Sequence, residues 1–177
     1  MTRTSGRDSD GVAGWQVGRL QVSHSPERTT EDTLHPAIIS ARPLVAGRAS
    51  GEVIVLDEPL SFWGGFDSAT GRITDRHHAQ VGTSLAGKVL VMPSGRGSSS
   101  SSSVLAEAIR ARTAPVAIVL READLIVALG ALVAAELYEH HVPVVVVAPE
   151  AYAALQTGQA VEVVADEAQA RIVLAHG

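Results

Sequence analysis

The 177-residue chain contains no cysteine. That absence excludes disulfides, thiolate catalysis, and any cysteine-ligated zinc or iron–sulfur centre held by this chain itself. Aromatic residues are scarce, at 3%, although 46% of the chain is hydrophobic, so a core has to be built from Val, Leu, Ile and Ala. There is no basic block, and the formal net charge of -5 argues against a nucleic-acid partner. No apolar run is long enough to cross a bilayer, so no membrane-embedded segment is expected. Residues 1–6 hold no apolar signal core, and the expected compartment is the cytoplasm.

What the chain does have is concentrated in one stretch. The apolar run Val89, Leu90, Val91 and Met92 leads into Pro93 and Ser94, then Gly95-Arg96-Gly97, then six consecutive serines at 98–103. This pattern predicts a buried strand, a tight turn carrying arginine between two glycines, and a helix that starts near Ser98. The glycines let the backbone approach a ligand closely. The helix start points unpaired N–H groups at the same spot, and Arg96 adds a planar, permanently charged fork suited to a carboxylate or phosphate. A serine run alone reads as a flexible linker. Its flanks favour a site instead, because a strand precedes it and an amphipathic helix with Leu105, Ala108 and Ile109 on one face follows it.

Residues 1–36 are polar and without sustained periodicity, and read as a disordered or loosely ordered extension; residues 37–177 read as one domain. Strands are expected at 37–39, 51–56, 115–120 and 142–147, with a loop or bulge around 47–50. Residues 57–87 form a long irregular segment. Residues 125–138 are expected to be helical mainly in their C-terminal part, and Pro149 to open a short helix. Two closing strands, at 159–164 and 171–174, form a hairpin through the acidic turn at Asp166 and Glu167. The sum is an α/β domain with more strands than helices, whose continuous apolar strands are covered on both faces.

Other candidate positions carry less. The pairs His77-His78 and His140-His141 are poor metal sites, because adjacent side chains diverge, and no metal site is expected in the chain. Gly64-Gly65, before Phe66-Asp67, reads as a tight turn that borders a cleft. Gly95-Arg96-Gly97 lacks the lysine and the glycine spacing of a nucleotide phosphate loop.

Five blocks in order carry a resemblance. They are Gly47-Arg48-Ala49-Ser50-Gly51, Ser61-Phe62-Trp63-Gly64-Gly65-Phe66-Asp67, Ala86-Gly87-Lys88-Val89-Leu90-Val91, Pro93-Ser94-Gly95-Arg96-Gly97-Ser98-Ser99 and Ile126-Val127-Ala128-Leu129-Gly130-Ala131. Together, over roughly residues 37–150, the chain resembles the small subunit, or swivel domain, of aconitase X. The resemblance implies a swivelling β/β/α domain that closes over the active site of a dehydratase. It also implies that Ser98, the first serine after the glycine–arginine–glycine turn, is the catalytic base, with Gly95, Arg96, Gly97 and Ser99 binding substrate and Gly64, Gly65 and Asp67 near the cleft. The implied partner is a large subunit that carries iron or an iron–sulfur cluster, and the implied substrate is a small hydroxy acid. Activities in the family are dehydration of cis-3-hydroxy-L-proline, the expected one here, and of phosphomevalonate, the alternative. A phosphohistidine-type swivelling carrier shares the architecture, but it needs a histidine just before the helix at 134–138, and residues 123–133 contain none.

Overall fold

The computed structural model describes residues 37–175; the expected extension at 1–36 lies outside them. The elements run β1 (Ile38–Val45), β2 (Gly47–Val55), a single irregular turn α1 (Phe62–Gly65), β3 (Phe66–Asp67), β4 (Arg72–Ile73), β5 (Val89–Met92), α2 (Ser101–Arg110), β6 (Ala117–Leu120), α3 (Leu125–Tyr138), β7 (Val144–Val146), α4 (Pro149–Ala154), β8 (Ala160–Ala165) and β9 (Ala170–Leu174).

Seven strands close into a barrel in the order β1-β7-β6-β5-β2-β8-β9. Two of them do the closing. The first half of β1 pairs antiparallel with β9, from Ile38 opposite Val173 to Ala41 opposite Ala170. Its second half pairs antiparallel with β7, from Arg42 opposite Val146, across an irregularity between Pro43 and Val45. Likewise β2 pairs antiparallel with β8 from Gly47 to Glu52, then runs parallel to β5 from Val53 to Val55. A hairpin, β8–β9, is thereby joined at both edges to the parallel set β5–β6–β7, and no strand edge of the barrel is left open.

The period-2 alternation of the parallel strands feeds two cores. Val89, Val91, Ala117, Val119 and Val145 point into the barrel, where they meet Val161, Val163 and Ile172 of the hairpin. Leu90, Met92, Ile118, Leu120 and Val144 point outward, beneath Leu105 and Ile109 of α2 and Val127, Ala131 and Ala134 of α3. Burying each branched side chain contributes on the order of 1.5–3 kcal/mol. Small and branched residues suffice because the barrel interior is narrow.

Three local expectations are corrected. Residues 47–50 are strand and not a loop, because pairing with β8 supplies the order that Gly47 and Gly51 fail to supply locally. The helix expected from Ser98 begins at Ser101. Ser98 instead opens a turn in which the Ser100 N–H donates to its Oγ (3.2 Å) and the Ser101 N–H donates to its carbonyl (2.9 Å). Serine hydroxyls compete with helical hydrogen bonds in this way. Third, α3 is helical over its whole length, because Asp124 accepts the N–H groups of Ile126 and Val127 and stabilises the first turn. The outer ridge of α3, at Leu125, Leu129 and Leu132, is exposed.

Helices α2 and α3 meet at Gly130, where an added Cβ would stand 2.8 Å from the Ser102 carbonyl oxygen and 3.1 Å from Leu105 Cβ. A mid-helix Gly→Ala change ordinarily gains about 1 kcal/mol. Intrusion against a backbone atom costs about 1–3 kcal/mol. Gly130→Ala is therefore expected to lower the melting temperature of the chain in thermal unfolding; a rise would contradict the close α2–α3 contact.

Candidate functional site

Strands β5 and β6 deliver two connecting segments to the same end of the parallel set, the carboxyl end where ligands bind in open α/β sheets. After β5 comes the Gly95-Arg96-Gly97-Ser98 turn. After β6 comes Asp124 at the start of α3. They enclose a pocket of about 80 Å³ lined by Leu60, Phe62, Gly95, Arg96, Gly97, Ser98, Ser101, Asp124, Ile126 and Val127.

Each glycine of the turn has its own reason. Gly97 adopts φ +100°, a conformation L side chains resist, and a Cβ there would stand 2.9 Å from Ser61 Oγ. At Gly95 a Cβ would stand 2.5 Å from Asp124 Oδ2 and 3.0 Å from Val127 Cγ2. The segment before α1 fastens the turn, with the Arg96 N–H donating to the Leu60 carbonyl (3.0 Å). Ser101 is buried, and its Oγ accepts the Trp63 N–H at 3.1 Å. Ser98 is exposed, and its Oγ already faces one oriented donor, the Ser100 N–H.

Arg96 does not float. Its Nη2 donates to Asp75 Oδ2 at 2.7 Å, and Asp75 Oδ1 accepts the His77 N–H at 2.9 Å. The His77 N–H foremost, with Arg96 adding to it, holds the Asp75 carboxyl below the usual carboxylate range. One edge of the guanidinium is thus anchored, and its other N–H groups meet no acceptor among the described residues. Asp75 comes from the long 57–87 segment, and no motif in the sequence marks it. Asp124 carries a signal that could have been used, since it is an N-cap residue directly before an apolar helical run.

Not all sequence candidates reach the pocket. Gly95, Arg96, Gly97 and Ser98 line it, whereas Ser99, Gly64, Gly65 and Asp67 do not. Ser99 uses its carbonyl to accept the Ser102 hydroxyl (2.8 Å). Gly64, at φ +80°, turns the chain in open space. Asp67 holds the β3–β4 turn, accepting the Thr70 hydroxyl (2.6 Å) and the Ala69 N–H (2.9 Å), which hold its carboxyl low.

A larger cavity of about 400 Å³ opens at the opposite, amino end of the parallel strands, beside Arg112, His140 and His141. Its His140 is already engaged, Nδ1 with the Ile109 carbonyl (3.2 Å) and Nε2 with Arg112 (2.7 Å). His78 is buried, with Nδ1 accepting the Gln80 N–H (3.0 Å), while His77 is exposed. Among the described residues no group of three or more His, Cys, Asp or Glu is placed to hold a metal ion. No helix among the described residues is long and apolar enough to cross a membrane.

A family model described as the aconitase X swivel domain matches residues 38–172. The chain is 50% identical over 110 residues to a cis-3-hydroxy-L-proline dehydratase of Pseudomonas aeruginosa, a match covering 62% of this chain and 19% of that protein. It is 38% identical over 135 residues to the phosphomevalonate dehydratase small subunit of Thermococcus gammatolerans, covering 76% of this chain and 97% of that one. The crystal structure of Thermococcus kodakaraensis aconitase X in its holo-form superposes with a TM-score of 0.69 at 38% identity, covering 79% of this chain and 99% of that chain. The chain thus spans about a fifth of the Pseudomonas dehydratase (19%) and nearly the whole of the archaeal small subunit (97%).

The Arg96–Asp75 pair has a pH signature. A carboxyl whose folded value is depressed contributes stability above its unfolded value, and that stability is lost as pH falls through the folded value. Asp75→Asn is expected to melt below the wild type at neutral pH. The gap should close as pH falls below the usual carboxylate range, about 4. Parallel melting curves across that range check this; a gap that stays constant into acid would contradict it.

Proposed function

The chain belongs to the aconitase X swivel-domain family, and we propose that it is the small subunit of a hydro-lyase in which Ser98 is the base. Residues 37–177 form the swivel domain. The observation that carries this reading is the placement of Ser98 Oγ and Arg96 in one pocket, with the Ser100 N–H already on the serine oxygen.

Dehydration removes a proton from carbon and a hydroxyl from its neighbour. A serine hydroxyl is a weak base in water, so its alkoxide needs oriented donors and positive charge nearby. The Ser100 N–H, the start of α2 and Arg96 supply them. As the alkoxide, Ser98 takes the proton α to the carboxylate, and the C–H electron pair forms the carbon–carbon double bond as the neighbouring C–O bond breaks. The departing hydroxide leaves as water with the proton that Ser98 gives up when its alkoxide is restored. Free N–H groups of Arg96 hold the substrate carboxylate and acidify that α-proton. A hydroxyl leaves poorly on its own, and a Lewis acid corrects this. Iron or an iron–sulfur cluster on a large subunit is the proposed source. The pocket holds only about 80 Å³, and the large subunit is proposed to contribute the other wall of the site.

Among substrates, cis-3-hydroxy-L-proline is favoured, because the chain is 50% identical to the Pseudomonas enzyme where they align, against 38% to the Thermococcus gammatolerans subunit. The product is a pyrroline-2-carboxylate. The rival, phosphomevalonate, is supported by the near end-to-end match to that free-standing small subunit, 97% of its length.

The chain is co-expressed with its large subunit in iron-replete, anaerobic conditions and assayed on both substrates. Turnover of cis-3-hydroxy-L-proline is expected, with Ser98→Ala lowering kcat by about 100-fold or more while the complex still assembles. An assembled Ser98→Ala complex with full turnover would overturn the role of Ser98. Dehydration of phosphomevalonate alone would reverse the choice of substrate.

A further inference from the structure

Two charged side chains line the pocket, and they bear opposite signs: Arg96 and Asp124. Asp124 Oδ1 accepts the N–H groups of Ile126 (2.8 Å) and Val127 (3.0 Å), which caps α3. Its Oδ2 takes no hydrogen bond from any described residue and hangs over the turn, 2.5 Å from where a Gly95 Cβ would stand. Glycine at 95 thus keeps that oxygen uncovered. Capping needs one side-chain oxygen and no charge, since Ser and Asn cap about as well as Asp. The second oxygen and the negative charge are therefore surplus to the cap, and both face the pocket.

We propose that Asp124 is the binding subsite for the protonated ring amine of the substrate, an inference that rests on the reading of Ser98 and Arg96 above. Arg96 and Asp124 then form a matched pair for a zwitterion, with the carboxylate on the guanidinium and the ammonium on Oδ2. The neighbouring Asp75 already offsets the charge of Arg96, so Asp124 tips the local balance negative. That balance suits an amino acid of zero net charge and opposes a substrate bearing phosphate and carboxylate without a cation. It also makes this one residue a determinant of specificity within the domain.

The test uses the assembled complex and two ring acids of nearly equal shape. L-Proline carries an ammonium, whereas (S)-tetrahydrofuran-2-carboxylate has an ether oxygen in its place. Calorimetric titration of the wild-type complex is expected to show L-proline binding about tenfold more tightly. Asp124→Asn and Asp124→Ser both keep a capping oxygen and lose the charge. Each is expected to remove most of that preference, and to raise KM for cis-3-hydroxy-L-proline about tenfold with a smaller change in kcat, while melting within about 2 °C of the wild type. A wild-type complex that binds both acids equally, or variants that keep the preference, would overturn the proposal. Turnover of cis-3-hydroxy-L-proline with the preference unchanged in both variants fails this inference alone. A complex that dehydrates phosphomevalonate and binds neither ring acid fails the substrate reading, and this inference with it.

Discussion

The structure depends on two strands that each serve two partners. Because β1 leaves β9 for β7 midway, and β2 leaves β8 for β5, the antiparallel hairpin and the parallel set share edges and the sheet closes. Closure imposes a narrow interior, and a narrow interior accepts only small and branched side chains. The scarcity of aromatic residues is therefore a requirement of this barrel. Once the inside is filled by Val89, Val91, Val119 and Val145, the alternate positions of the same strands must be covered from outside, and α2 and α3 do that.

The site follows from the same constraint. Helices α2 and α3 follow β5 and β6 respectively, so each helix starts at the carboxyl end of its strand, and the two starts converge. Convergence brings Ser98 and Arg96, ahead of α2, within one pocket of Asp124, ahead of α3. The close fit of α3 against the turn means that a Cβ at Gly95 would displace the Asp124 carboxylate and press on Val127, and the positive φ of Gly97 explains why it resists a side chain. Rigidity comes from outside the turn. Leu60 holds its backbone, and Asp75 holds the arginine, both from the long segment between β2 and β5. That segment looks irregular, yet Leu60, Phe62, Phe66, Ile73 and Leu85 are all buried and anchor it to the outer core.

Much of this was legible in the residues themselves. Runs of Val, Leu and Ile bounded by glycine and proline marked the parallel strands, and the glycine–arginine–glycine–serine block marked the centre of the pocket. The family resemblance, carried by five short blocks, agreed with the match over residues 38–172. The less legible parts share a cause: each depends on a partner distant in the chain. Residues 47–50 are ordered by β8, more than 110 positions later in sequence, from Ala165 opposite Gly47 to Glu162 opposite Ser50. Helix α2 starts at Ser101, three residues after the expected Ser98, because six identical serines give no sign of which hydroxyls bond locally and which enter the helix.

The sequence by itself determined the fold class, the absence of a cysteine-based centre, and the glycine–arginine–glycine–serine turn that lines the pocket, because strand periodicity, composition and glycine spacing are local properties. Only the tertiary structure decided which charges stand beside that turn. Asp75 lies 21 positions before Arg96 and has no local mark; Asp124 lies 28 after it, and its local pattern marks a helix cap but not its place beside the turn. They meet because the barrel closes and the helices pack, and side-chain proximity of that kind is set by the whole chain's packing.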